Sequence, residues 1–469
     1  MSQRSRSLGP LLLVFLVTTG TVAAIVWTIN SPDQVRVVLM RVVLISLVIF
    51  LGILLIRYFT LLWFGFMQHT ERDIEGTDTW NLPPISVIVP AFNEGAVIAA
   101  ALDSLLALNY PTYEVVVVDD GSNDDTLNVA SEFEGNAAVP VRVFSTPNAG
   151  KATALNLGIS NALYPFLFCM DSDSTVEPDT LLRAIVHMRD EDVGAVAGNV
   201  KVVNRVSVTK RMRSLRGRGF WPGVRGFVEA VNDALLTRLQ ALEYIEGLNM
   251  PRRAQGFVAA VNIVPGPVGL FRREALTDVG GYETDTFAED ADLTLKLIAS
   301  GWKIVYEDQA IAWTQAPDRW LDLIQQRYRW TRGILQALRK RRRLFLKPFP
   351  DFPLWLSALE MGFEAVVWPM MNVFAHLFFA IVALLFGMGE LVLYWWILLT
   401  LLDLGAALVT VSMEEEELSL VPLAVIYRFF FILFLDVTKS FAAIEELFRF
   451  GMGWEKLGRT PVQTAEEGV

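Results

Sequence analysis

Long apolar stretches lie at both ends of this chain, and such stretches must be buried in protein or in lipid. Residues 8–30 carry no charge and follow Arg4 and Arg6. After a short polar turn containing Pro32 and Asp33, a second apolar segment covers 38–67. Each is long enough to cross a hydrocarbon core about 30 Å thick, and the second has length to spare for tilt. The first exceeds the usual apolar region of a secretory signal and reads as a retained span. Residues 1–70 are therefore expected to form a membrane hairpin. The arginines put the amino terminus in the cytoplasm, and two crossings return the chain there. Apolar character resumes after a basic cluster at 339–343 and Lys347. Residues 346–469 are expected to hold an interfacial segment at 353–360 and spans at 361–386, 391–411 and 420–441. Three spans leave 414–417 inside and the carboxy terminus outside. Glu364, Asp403, Arg428 and Asp436 are costly in lipid and should face a protein interior or a wet path, with simple helix packing as the competing account.

Between these regions, residues 84–345 form a separate domain. The chain has 469 residues, 53% of them hydrophobic, which leaves room for a catalytic domain of about 250 residues beside several spans. A net charge of -11 argues against a nucleic-acid partner, because affinity for phosphate backbones rests on accumulated Lys and Arg. The single cysteine, Cys169, excludes an intrachain disulfide and a thiolate metal cluster, and fits a reducing cytoplasm.

Short Val/Ile-rich runs alternate here with helical periods, the pattern of parallel strands covered by helices. Strands are expected at 85–92, 113–119, 141–145 and 164–170, with helices at 94–108, 124–133 and 150–162. Each strand ends in polar residues, and ligands in such sheets bind beyond the carboxyl ends of strands. Asp171 and Asp173 follow the fourth strand. If the strand continues through them, both carboxylates project to one side and suit Mg²⁺ or Mn²⁺ shared with substrate phosphates; a solvated turn is the plainer account. Asp119, Asp120, Gly121 and Ser122 offer acceptors and a permissive glycine suited to a base or ribose, or simply an Asp-Gly turn. Lys151 opens a helix where free N–H groups and an ammonium can face a diphosphate, unless it is merely solvated.

Farther on, a basic segment at 205–225 suits anionic lipid, an anionic partner or plain solvation. Residues 240–249 read as helical, and Pro265 and Pro267 constrain a turn that can line a pocket. Glu289, Asp290 and Asp292 crowd one helix start, where capping accounts for one carboxylate more readily than for three. On the following helix Gln326, Arg329 and Trp330 share a face. An indole stacks on sugar rings, while amide and guanidinium groups bind hydroxyl and phosphate oxygens. An amphipathic helix leaning on core or membrane accounts for Trp330 but not for Arg329.

Taken together, the acidic pair, Glu289-Asp290 and the Gln-Arg-Tyr-Arg-Trp run resemble the membrane-embedded, processive family 2 glycosyltransferases, the poly-N-acetylglucosamine, chitin, hyaluronan and cellulose synthase-like enzymes. Four separated motifs occur in family order over about 84–343. The resemblance implies an α/β, GT-A-like nucleotide-sugar-binding domain with a mostly parallel sheet, inserted between transmembrane helices in the cell membrane and facing the cytoplasm. It implies that Asp119 and Asp120 bind uridine, Lys151 the phosphates, and Asp171 and Asp173 a Mg²⁺ or Mn²⁺ ion, Asp171 also standing at the donor. Asp290 becomes the catalytic base. Gln326, Arg329 and Trp330 match the Q-x-x-R-W motif beside the acceptor and donor diphosphate, and 266–272, beginning at Gly266, resembles an acceptor-pocket loop. Ala288 stands where many members have threonine. The implied activity is inverting, processive transfer from a UDP-hexose, with UDP-N-acetylglucosamine the expected donor, into a β-linked polysaccharide moved across the membrane. Transfer of one sugar to a lipid, or an inactive nucleotide-binding scaffold, are the alternatives. The expected partners are the donor, the growing glycan and membrane lipid, with room for a small membrane accessory subunit and none for nucleic acid.

Overall fold

The computed structural model describes residues 33–70, 81–136, 138–205, 224–342, 352–387 and 389–450. The expected span at 8–30, most of the basic segment at 205–225 and Lys347 lie outside these residues. Helix α1 (Asp33–Thr70) is helical from its first residue, so Asp33 opens a helix instead of standing in a turn. Its last turns dock on the α/β domain, where Phe64 stacks on Phe257 at 5.3 Å and Gln68 donates to the Tyr306 carbonyl at 3.3 Å.

The α/β domain runs β1 (Ile85–Ala91), α2 (Ile98–Leu106), β2 (Tyr113–Asp119), α3 (Thr126–Ser131), β3 (Val141–Ser145), α4 (Lys151–Asn161) and β4 (Phe166–Cys169). It continues with β5 (Thr175–Val176), α5 (Thr180–Ile185), β6 (Val193–Val202) and α6 (Val224–Glu243). A π-helical turn at Tyr244–Asn249 leads into α7 (Met250–Phe257), followed by β7 (Gly269–Arg272), α8 (Arg273–Val279), α9 (Glu289–Ala299), β8 (Lys303–Thr314) and α10 (Trp320–Arg341). One sheet takes the order β3-β2-β1-β4-β7-β6-β8-β5. The first four strands pair in parallel, as their continuous apolar runs predict for strands covered on both faces. Beyond β4 the sheet becomes mixed, because β7 runs antiparallel to both β4 and β6 while β6 and β8 are parallel. Strands β5 to β8 have no counterpart among the strands expected from sequence.

The carboxy-terminal region contains α11 (Phe352–Gly362), a π turn at Phe363–Val367, α12 (Trp368–Phe386) and α13 (Gly389–Met413). Helix α11 occupies the place of the expected interfacial segment and is fastened to the α/β domain: Ser357 donates to the Ala260 carbonyl, and Glu360 accepts from Gln255 at 2.7 Å. Among the described residues, four segments are long and apolar enough to cross a membrane: Val48–Gln68, Phe352–Ile381, Val392–Met413 and Leu418–Leu447. Their charges face protein, as their cost in lipid requires. Arg57 pairs with Glu364 at 2.8 Å, Arg428 grips Asp403 with Tyr58 bound to both, and Asn372 donates to Asp436 at 2.6 Å.

The last of these segments is tied to the α/β domain. It runs through short 3₁₀ and π turns into α14 (Ile432–Leu447), and the α/β domain holds it from end to end. Arg238 of α6 donates to Ser419 at 2.6 Å near its start. Trp320 of α10 meets Phe431 and Phe434 at 6.2 and 4.9 Å in its middle. At its end Tyr328 donates to Glu445, and Arg332 donates to Glu446 and to the Phe450 carbonyl. Both ends therefore lie against the same domain. The basic cluster is likewise used inside the protein: Arg339 pairs with Glu446, and Lys340 and Arg341 pair with Glu283 and Asp292.

The acidic loop after α13 plugs into the α/β domain. Arg253, 1% exposed, lies between Asp308 of β8 and Glu414, the latter at 2.7 Å, and Asn199 also donates to Glu414. Breaking a buried ion pair from one side typically costs about 3–5 kcal/mol, because the remaining carboxylates stay buried without their cation. Arg253→Met should lower folded stability by about that amount, read as a depressed thermal midpoint of the purified protein.

Candidate active site

The chain leaves β4 at Cys169, and Asp171, Ser172 and Asp173 stand in the turn beyond it. The premise that strand alternation aims both carboxylates to one side is thereby corrected, since the turn directs them. Lys151, the first residue of α4, places its Nζ 2.6 Å from Asp171 Oδ1 and 3.3 Å from Glu289 Oε1. Burial alone lowers the pKa of this ammonium, but Asp171 and Glu289 outweigh it and raise it above the ordinary lysine value. Gly266 fits against the pair: a Cβ there would lie 2.8 Å from both Lys151 Nζ and Asp171 Oδ2. The loop expected at the acceptor thus presses on the Lys151–Asp171 pair, and a side chain at 266 would push the two apart.

Asp120, expected to contact the nucleotide, makes firm contacts within the chain itself. It is buried, and its two oxygens accept the backbone N–H groups of Ala149 and Gly150 at 2.9 and 2.8 Å. This holds the loop that delivers Lys151. Asp119 accepts more weakly, from the Ser122 N–H at 3.3 Å and the Ser145 hydroxyl at 3.2 Å. Between them and the loop, Gly121 adopts φ +70°, and a Cβ would meet the Asn148 nitrogen at 2.6 Å, so only glycine suits the crossing.

Helix α9 begins with Glu289 and Asp290, and the Ala291 N–H donates to Asp290 at 2.8 Å. Burial and the adjacent Glu289 carboxylate push Asp290 up to about 6, with Lys151 pulling the other way. Such a carboxyl is poised for proton transfer near neutrality. Asp292 is different, being 1% exposed and gripped by Lys340 and Arg341. With Glu283 and Asp285 it forms a carboxylate cluster that the same cations compensate. The acidic crowding at this helix start therefore divides into a structural Asp292 and the site pair Glu289-Asp290.

On α10, Gln326, Arg329 and Trp330 are half-buried, as a shared face predicts. The residue between them matters more than its place outside the motif suggests. Arg327 is buried, makes a bidentate pair with Glu243 at 2.9 and 2.7 Å, donates to the side-chain amide oxygen Oε1 of Gln326 at 2.5 Å, and lies 4.2 Å from the Trp330 ring centre. One face of the indole is thus covered by a guanidinium, so sugar stacking would have to use the other. Sequence reasoning missed Arg327, Glu243 and the Lys151 contact of Glu289. The first two offer no local signal, being separated by 84 residues.

The residues 86–279 match the family model "Glycosyl transferase family 2", and 228–410 match "Glycosyl transferase family 21". Poly-beta-1,6-N-acetyl-D-glucosamine synthase of Staphylococcus epidermidis is 31% identical over 250 residues, which cover 53% of this chain and 54% of that protein. The synthase of the same name from Staphylococcus aureus strain COL is 31% identical over 253 residues, 54% of this chain and 55% of the relative. The chain therefore spans about half the length of these relatives. A solved structure, the mannosyltransferase PcManGT from Pyrobaculum calidifontis in complex with GDP-Man and Mn2+, shares the fold with TM-score 0.59 and 22% identity, covering 87% of this chain and 99% of its own. Sequence model, relatives and fold agree with the motifs: the α/β domain that carries this site is similar to the family 2 glycosyl transferases over residues 86–279 and has a GT-A-like fold.

Proposed function

We propose that the protein transfers N-acetylglucosamine from UDP-N-acetylglucosamine to a growing β-linked glycan with inversion, and passes the product across the membrane. The observation that carries this reading is the convergence of Lys151, Asp171 and Glu289 in one ion-paired group within the electrostatic reach of Asp290. The names of the relatives support the sugar. In this reading Asp290 accepts the proton of an acceptor hydroxyl while that oxygen bonds to the anomeric carbon. The bond from that carbon to the diphosphate breaks, and UDP leaves with the electron pair. Lys151 stabilises the departing charge, and Asp120 holds the loop that presents it. Asp119 lies at the nucleoside end. Gln326, Arg329 and Trp330 orient the acceptor.

The turn at Asp171 and Asp173 fits Mg²⁺ or Mn²⁺: it offers hard carboxylate oxygens, and Asp171 already faces a cation, the Lys151 ammonium. Such an ion, when bound, would supply charge neutralisation at the diphosphate. Incubating the full chain in lipid nanodiscs with UDP-N-acetylglucosamine, other UDP-sugars and GDP-mannose, with Mg²⁺, Mn²⁺ or chelator, tests the reading. A ladder of N-acetylglucosamine polymer by mass, lost with chelator, is expected. A single sugar on lipid would replace polymer synthesis, and absence of nucleotide release from every donor would remove the enzyme reading.

Asp290→Asn should lower turnover by about 10² to 10⁴ while leaving UDP affinity within a few-fold, since a general base and not a nucleotide contact is lost. The base must be ionised to act. With its carboxyl pushed up to about 6, the wild-type rate should fall as pH drops through that value and level off above it. A wild-type rate flat from pH 5 to 8 would count against Asp290.

The reading also includes a membrane arrangement in which the α/β domain faces the cytoplasm. Helices α12 and α13 form a hairpin to the far side, closed at Gly387, and Leu418–Leu447 lies in the plane of the membrane beneath the domain. A reporter fused after residue 450 should then behave as cytoplasmic and one inserted at 387–389 as external. The reverse result at 450 would restore the crossing.

A further inference from the structure

We propose that the buried Glu243–Arg327 pair is a positioning device for the acceptor, setting the Trp330 ring and the Gln326 amide without touching substrate itself. The inference rests on the glycosyltransferase reading and names the residues that set the geometry of its acceptor side. Arg327 and Glu243 are 2% and 7% exposed. Two parallel hydrogen bonds fix the guanidinium plane as well as its position. That plane then reaches both neighbours in the motif, donating to Gln326 and lying 4.2 Å from the centre of the Trp330 ring. A desolvated cation over an indole adds an orienting attraction that an aliphatic side chain would lack.

The position of Glu243 supports the role. It is the last α-helical residue of α6 before the π turn at Tyr244–Asn249, and π turns inside helices recur at functional sites because they re-aim the side chains that follow. Tyr244, the first residue of the π turn, lies 5.9 Å from the Arg327 guanidinium and within the electrostatic reach of Asp173. The π turn that follows Glu243 thus packs against the pair. A purely stabilising role is the weaker account, since a buried ion pair is often no better than well-packed apolar residues for stability, and setting a unique geometry is a better reason for one. Helix α10 is independently fastened through Tyr328 to Glu445 and through Arg332 to Glu446. Loosening Arg327 should therefore misplace two side chains without releasing the helix.

The test uses the full chain in nanodiscs with UDP-N-acetylglucosamine, and measures UDP released, sugar incorporated, UDP affinity and thermal midpoint. The variants are Arg327→Lys, Glu243→Gln, Trp330→Ala and the double variant R327K/W330A. Glu243→Gln keeps the shape of its residue, so it answers the question even if Arg327→Lys folds poorly. Arg327→Lys and Glu243→Gln should each lower incorporation by about 10-fold or more while UDP affinity stays within about twofold, because misplacing an acceptor costs rate and not donor binding. UDP released per sugar incorporated should rise, with water replacing the sugar hydroxyl. In the Trp330→Ala background, Arg327→Lys should add less than about twofold, since residues acting through one another are not additive. Release, incorporation and UDP affinity falling together would overturn the proposal in favour of a general structural role. A wild-type ratio in both single variants, or full additivity with Trp330→Ala, would overturn it too. A wild-type protein that releases UDP from no sugar nucleotide would instead fail the reading beneath it, and the positioning role with it.

Discussion

The site depends on Lys151 lying between Asp171 and Glu289. These residues come from three places: the start of α4, the turn after β4 and the start of α9. One ammonium brings the three together, and its partners are drawn by a charge that burial would otherwise disfavour. Around it, Asp120 holds the delivering loop by two backbone N–H groups, and Gly266 brings bare backbone against the ion pair. The carboxyl pushed toward neutrality is Asp290, next to Glu289 and within the field of Lys151. In the proposed reaction, proton transfer and leaving-group stabilisation share one set of charges.

The same kind of interaction joins the α/β domain to the apolar helices. Arg253 links α7 to β8 and to the loop after α13, and Arg332 links α10 to the end of α14. Arg428 links the last segment to α13 and α1 through Asp403 and Tyr58. Apolar contact between helices in lipid gives little directional preference, because the tails are as apolar as the side chains. Charged pairs that must meet to offset their desolvation specify one arrangement. Ser419, Glu445 and Glu446 of the last apolar segment have partners in the α/β domain, while its Arg428 and Asp436 pair with the other apolar helices.

The strand cores of the parallel half were legible in the sequence to within about two residues, an error common at element ends. Strands buried on both faces read as continuous Val/Ile runs whatever the rest of the chain does, and the polar residues that end them must lie at one edge of the sheet. The residue types of the site, Lys151, Asp171, Glu289 and Asp290, were legible for the same reason, since each stands at a boundary between local elements. Tertiary structure alone decided what those residues face. The Asp171 and Asp173 directions come from a turn, the carboxylates of one helix start divide between the Lys151 cluster and the Lys340 and Arg341 pairs, and Arg327 finds Glu243 across 84 residues. The course of Leu418–Leu447 belongs with these, because hydropathy records only the cost of meeting water. Periodicity is a property of neighbours in the chain, whereas ion pairs between distant elements exist only once the sheet and helices have closed around them.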